Sequence, residues 1–189
     1  MNRKLAYSLC LLALALCWGA LPAFAGTIPI RGTLEGDSTL TPTGTPNVYV
    51  QNFTGDGDDT TFGSFTALSM STIDFSNPPN IVITDSTFSE TFGNGTLFGT
   101  SSGGKAKPNG NGTAAFIVNL VITGGTGFLA GDTGEVTLTG LITLTSPTTV
   151  SVNGSYTGSL TTTPEPSAAI LMGTALMAMV LGAAWRRSS

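Results

Sequence analysis

The chain contains no histidine, and its two cysteines, Cys10 and Cys17, both fall in the first 25 residues. Without histidine there is no Ser-His-Asp or Cys-His nucleophile, no imidazole acid/base chemistry and no ordinary zinc site. Beyond residue 25 there is no thiol either, so disulfides cannot staple the rest of the chain. Bases are scarce as well: between Gly26 and Thr163 only Arg31, Lys105 and Lys107 are present, against ten acids, a formal charge of −7. A surface of that sign has no basic stripe to displace the counterions of a nucleic acid, so no nucleic-acid partner is expected. The same balance suits metal cations and solubility outside a cell. Helical periodicity is missing from the middle of the chain too.

What the sequence does have is two apolar ends. At the first, Arg3 and Lys4 precede an apolar run from Leu5 to Leu21 and the triplet Ala23-Phe24-Ala25. A charged start, an apolar stretch and an A-x-A site describe a secretory signal peptide over residues 1–25, with Gly26 as the predicted first mature residue. Leu16 stands before Cys17 where a lipoprotein signal would place a small residue. An uncleaved anchor is the alternative.

At the other end, Pro164-Glu165-Pro166 is followed by Ser167–Trp185, 19 residues without a charge, and then by Arg186-Arg187. As a helix this run would extend about 28 Å, close to the hydrocarbon thickness of a bilayer. Trp185 suits the interface, and Arg186 and Arg187 suit the cytoplasmic side. Gly173 and Gly182 are not spaced as G-x-x-x-G, so the run carries no dimerisation motif. A buried core helix is the competing reading.

Pro-Glu-Pro, an apolar helix and terminal arginines, in that order, resemble the PEP-CTERM sorting signal of bacterial exopolysaccharide-associated proteins. The resemblance covers residues 164–189. It implies recognition of Pro164, Glu165 and Pro166 by an exosortase, a membrane cysteine transpeptidase, after passage through the secretory translocon. It implies that Ser167–Trp185 is a temporary membrane anchor and that Arg186 and Arg187 are its stop-transfer charges. It further implies a Gram-negative host and delivery to the cell surface or the extracellular polysaccharide matrix of a biofilm. Proteins carrying this tail have no common biochemical role.

Residues 26–163 are one domain by size. Val136, Leu138, Gly140, Ile142 and Leu144 alternate with Glu135, Thr137, Thr139, Leu141 and Thr143. Val150, Val152, Gly154, Tyr156 and Leu160 share one face of the next run, and Phe116, Val118, Leu120 and Ile122 share one face of the run before. Period two marks half-buried strands, with the β-branched threonines suited to the solvent side. Ser146-Pro147-Thr148 and Asn109-Gly110-Asn111-Gly112 read as turns. Earlier candidates are 28–34, 47–53, 61–72, 80–91 and 96–100, with Pro42, Pro46, Pro78 and Pro79 between runs. About eight strands predict an all-β antiparallel barrel or a β-sandwich. Gly140, Gly154 and Gly158 suggest bends or bulges where a sheet curls.

The stretch from Thr123 to Gly134, TGGTGFLAGDTG, the Thr-rich alternation after it and the closing GSYTGSL resemble bacterial exported relatives of allene oxide cyclase and dirigent-type proteins. That resemblance spans residues 61–160 and implies an eight-stranded antiparallel barrel with a central cavity. It carries no catalytic residue over, because no catalytic motif of those enzymes has a counterpart here.

Several signals have two readings. Asp56, Asp58 and Asp59 could chelate calcium, but the ligand count of an EF-hand is missing, and a solvated acidic loop is favoured. Gly124–Gly127 lacks the Lys-Ser/Thr of a phosphate loop and reads as a turn. Phe62, Phe65, Phe88, Phe92, Phe98, Phe116 and Phe128 could line a ligand pocket, with core packing the better reading. Three roles compete for the domain. A non-enzymatic exported surface or matrix protein without cofactor comes first. A barrel holding a small apolar molecule comes second. A cyclase- or isomerase-like enzyme using Glu90 or Glu135 comes third. Two carboxyls converging in an apolar pocket would favour the third.

Overall fold

The computed structural model of the protein describes residues 26–162. The expected signal peptide with its Ala23–Ala25 site and the expected sorting tail bearing Pro164–Pro166, Arg186 and Arg187 lie outside the described residues. Eight strands succeed one another: β1 (Gly26–Pro42), β2 (Val48–Asp59), β3 (Gly63–Asn77), β4 (Asn80–Phe92), β5 (Gly95–Gly110), β6 (Thr113–Gly127), β7 (Thr133–Ser146) and β8 (Thr149–Thr162). Each pairs antiparallel with the next, and β8 pairs back with β1 from Gly26↔Thr162 to Thr39↔Thr149. The sheet is a closed barrel, not a sandwich. Closure gives every strand two partners and leaves no edge to template aggregation.

The strands run longer than the sequence pattern suggests. The 28–34 and 96–100 runs are fragments of strands of 17 and 16 residues. Gly55–Asp59, expected as a solvated loop, is the last stretch of β2, hydrogen-bonded between β1 and β3. The expected turns at 146–148 and 109–112 fall at strand junctions, whereas Gly124–Gly127, expected as a turn, is the last stretch of β6, paired with β5. Asn111, flanked by Gly110 and Gly112, takes a φ of 58° in the β5–β6 turn, a left-handed conformation that asparagine tolerates.

The expected inward faces of β6, β7 and β8 are observed: Phe116, Val118, Ile122, Val136, Val150, Val152, Tyr156 and Leu160 are core residues. The interior glycines of β7 and β8 do not mark bulges. No register shift occurs at Gly140, Gly154 or Gly158. Gly140 and Gly154 lie beneath the Phe116 ring, where an added Cβ would come within 2.8 and 3.3 Å of it. Gly32 likewise makes room for Tyr156, whose hydroxyl would lie 2.6 Å from such a Cβ. Missing side chains on one strand leave room for the rings of its neighbours.

The register shifts are elsewhere. Between β3 and β4 the pairing jumps from Met70↔Thr87 to Thr72↔Thr84, and Asp85 sits there with a φ of 51°. Two residues of β4 then oppose one of β3, which is a β-bulge. The extra residue reverses the alternation. Ile81 and Ile83 face inward before it; Ser86, Phe88, Glu90 and Phe92 face inward after it.

The two barrel ends differ. At the end holding Gly26, Thr162 and the β2–β3, β4–β5 and β6–β7 connections, rings form a chain. Phe128, Phe62, Phe92, Phe65 and Tyr156 succeed one another at centroid separations of 5.8, 5.6, 5.2 and 6.1 Å. Leu129, 1% exposed, is held there by the turns of the β6–β7 connection. This end is closed. At the opposite end Leu40, Phe75, Pro108, Leu144 and Val150 surround an apolar mouth of about 290 Å³. Both described termini sit at the closed end, away from the mouth.

Candidate functional site

Below the mouth lies an inner chamber of about 90 Å³. Ile83 and Ile142 line both spaces, so the two lie next to one another inside the barrel. The chamber wall is mostly apolar, with Phe53, Ala67, Phe88, Phe116, Val118 and Leu138 among its residues. Of the seven phenylalanines considered from sequence, Phe88 and Phe116 line the chamber and Phe62, Phe65, Phe92 and Phe128 form the closed end. Phe98 is on the outside, 40% exposed.

Besides Ser69 and Ser89, three polar features interrupt this wall. Gln51 donates from Nε2 to Ser38 Oγ at 2.7 Å and accepts from Ser71 Oγ at 3.2 Å, which ties β1, β2 and β3 together inside the barrel. Ser86, turned inward by the bulge, is 7% exposed, and its Oγ has no hydrogen-bond partner. The third feature is the acid cluster at the chamber floor.

Asp59 ends β2 facing inward and is 3% exposed. Its Oδ1 accepts from the backbone N–H groups of Thr61 at 2.7 Å and Phe62 at 3.0 Å, an Asx turn that closes the β2–β3 corner. Its Oδ2 accepts from the Tyr156 hydroxyl at 2.7 Å, across to β8. Burial first, and then that hydrogen bond, hold the Tyr156 phenol protonated far above its ordinary range. Glu90 lines the chamber with Tyr156. Burial, and secondarily the Asp59 charge, push its carboxyl from 4.5 up to about 7.

The calcium candidates separate on this geometry. Asp56 and Asp58 point outward, opposite Glu35 and Thr33 of β1 respectively, whereas Asp59 points into the barrel. Successive side chains of a strand take opposite faces, so the three cannot surround one ion. Among the described residues no group of three His, Cys, Asp or Glu side chains is arranged to hold a metal. Glu135, the other candidate acid, lies exposed on the outer face of β7 and does not reach the lumen. Arg31, Lys105 and Lys107 are exposed too, so no described base enters the interior. The pairing of Asp59 with Tyr156 is not visible in the sequence. Its one signal there is that Asp59 keeps the parity of Gln51 and Phe53.

Comparison with protein-family models, with curated proteins and with solved structures returns no match.

Proposed function

We propose that this is an exported protein whose barrel holds a small, largely apolar molecule in its lumen. The observation that carries the reading is the lumen itself: an apolar mouth beside an apolar chamber with a few convergent polar groups. That combination is the usual composition of a small-molecule site. A barrel meant only to pack would fill its axis with side chains; here space remains as a chamber and a mouth.

The test is calorimetric titration with naphthalene-sized neutral aromatics such as indole. One-to-one saturable binding is expected. Ala67→Phe, which places a ring in the chamber, should remove it while leaving a cooperative unfolding transition. Binding that never saturates, or that Ala67→Phe leaves intact, would overturn the reading.

A second reading, proton transfer on the bound molecule, is favoured by one observation: Glu90 faces the chamber with a carboxyl poised near neutral pH. The two separate by the fate of the molecule, since recovery of unchanged compound after prolonged incubation supports binding alone.

The address of the protein is read from the ends of the chain. The A-x-A site and the Pro164–Pro166, apolar and Arg186-Arg187 sequence support export, transient anchoring through residues 167–185, and exosortase processing toward the cell surface or polysaccharide matrix. The intact mass of protein recovered from a native host's surface fraction is expected to correspond to a chain starting at Gly26 and ending near Pro164–Pro166. A mass running through to Ser189 would sink the processing claim.

A further inference from the structure

We propose that the chamber selects an apolar amine, with its ammonium group against Glu90 and a second hydrogen-bonding group on the ligand reaching Ser86. The proposal rests on the lumen being a binding site and goes further by naming the charge of what enters it.

The first observation is the sign of the interior. Glu90 of β4 lines the chamber, and Asp59 of β2 is near enough to act on its charge. Tyr156 of β8 is the remaining titratable group on that floor. From the strands flanking Glu90, the inward residues Phe65, Ala67 and Ser69 of β3 and Leu97 and Gly99 of β5 present nothing titratable. No described base faces inward. In a water-poor space, charge–charge terms are far stronger than at the surface. An anionic ligand such as a fatty acid would therefore meet only repulsion there. A cation would meet one carboxylate with free acceptor capacity, because the acceptors of Asp59 are already taken by Thr61, Phe62 and Tyr156. An ammonium offers three donors and no acceptor, which suits that carboxylate.

The second observation is Ser86. A buried hydroxyl that faces a cavity without a partner costs free energy, and a ligand atom that hydrogen-bonds to it recovers that cost. Ser86 and Glu90 are on the same face of β4, four residues apart, or about 13 Å along the strand. They are too far apart to share one atom and are placed to hold opposite ends of one small molecule. Aromatic walls at Phe88 and Phe116 suit a ring between those ends.

Four probes of similar size test this: tyramine, phenethylamine, phenethyl alcohol and phenylacetate, titrated against the barrel from about pH 6 to about pH 8. The amines are expected to bind best. Their affinity should rise up to about tenfold across that range as Glu90 ionises while the amine stays charged. Glu90→Gln should lower the amine-to-alcohol preference about tenfold or more, as loss of a charged hydrogen bond would. Ser86→Ala should narrow the advantage of tyramine over phenethylamine. Phenylacetate binding as tightly as phenethylamine, or a preference indifferent to Glu90→Gln, would overturn the inference. If indole binds and the amines gain nothing over the alcohol, this inference falls and the lumen reading stands. If no probe binds at all, both fall.

Discussion

Replacing Asp59 with alanine is expected to destabilise the barrel by about 3 kcal/mol, lowering the urea midpoint by about 1.5 M. The side chain has three hydrogen-bond partners and no water near most of its surface. Alanine strips the acceptor from the Tyr156 hydroxyl, which is buried, at about 1–3 kcal/mol. It also frees the N–H groups of Thr61 and Phe62. Those are only partly buried, so water recovers some of their loss. The remaining damage comes from the corner itself: the Asx turn holds Phe62 where its ring meets Phe92 and Phe128. Asp59→Asn separates these contributions. Its one carbonyl oxygen can still accept from the turn, and its amide can donate to the Tyr156 oxygen. The cost should drop to about 1 kcal/mol. Asp59→Asn also removes a negative charge beside Glu90, so the Glu90 carboxyl should titrate lower than in the parent protein. An alanine variant as stable as the parent would show that the cluster does not hold the closed end together.

The strands on which alternation is unbroken are legible from sequence, and those on which it breaks are not. β6 and β8 keep one parity from Phe116 to Ile122 and from Val150 to Leu160, so their inner faces can be read residue by residue. β4 cannot be read this way. Its isoleucines at 81 and 83 and its phenylalanines at 88 and 92 belong to opposite parities, reconciled only by the extra residue at Asp85. From sequence, Glu90 is therefore a candidate acid with no assigned face. β5 is visible only as its Thr96–Thr100 piece, because its inner positions include Gly99, Ser101 and Gly104, residues with little hydrophobic signal. Their apolar cover is supplied by neighbours such as Phe88, whose ring lies over Gly99. The end of β2 looks like a loop for a related reason. Gly and Asp are poor strand formers by propensity, but pairing on both sides outweighs that preference. Closure of β1 on β8 links residues 136 positions apart, as in the contact between Gly26 and Thr162, and no local pattern encodes it.

Glu90→Gln is expected to stabilise the protein at neutral and higher pH and to flatten its stability between about pH 5 and about pH 8. The unfolded chain releases the Glu90 proton near 4.5, the folded chain near 7. Between those values the folded state holds a proton that the unfolded state has lost, so stability falls as pH rises through the window. The contribution is fully present below 4.5 and lost above about 7. The separation corresponds to about 3 kcal/mol, the free energy of keeping a carboxylate inside the lumen next to Asp59. Glutamine keeps the shape, never ionises and avoids that cost. Asp74 does not blur the window, since its hydrogen bonds from Ser76 lower its carboxyl and move its titration to the acid side. Urea unfolding at a series of pH values measures both effects. In the parent protein the midpoint should fall steadily from about pH 5 to about pH 8, while the variant stays level and ends higher. Parallel pH profiles for the two proteins would mean that Glu90 is solvated in the folded state. A carboxylate that costs stability in the empty barrel is offset only when something of opposite charge enters. The same substitution that raises stability at neutral pH should therefore remove the extra stabilisation that an amine gives the parent protein over its neutral analogue.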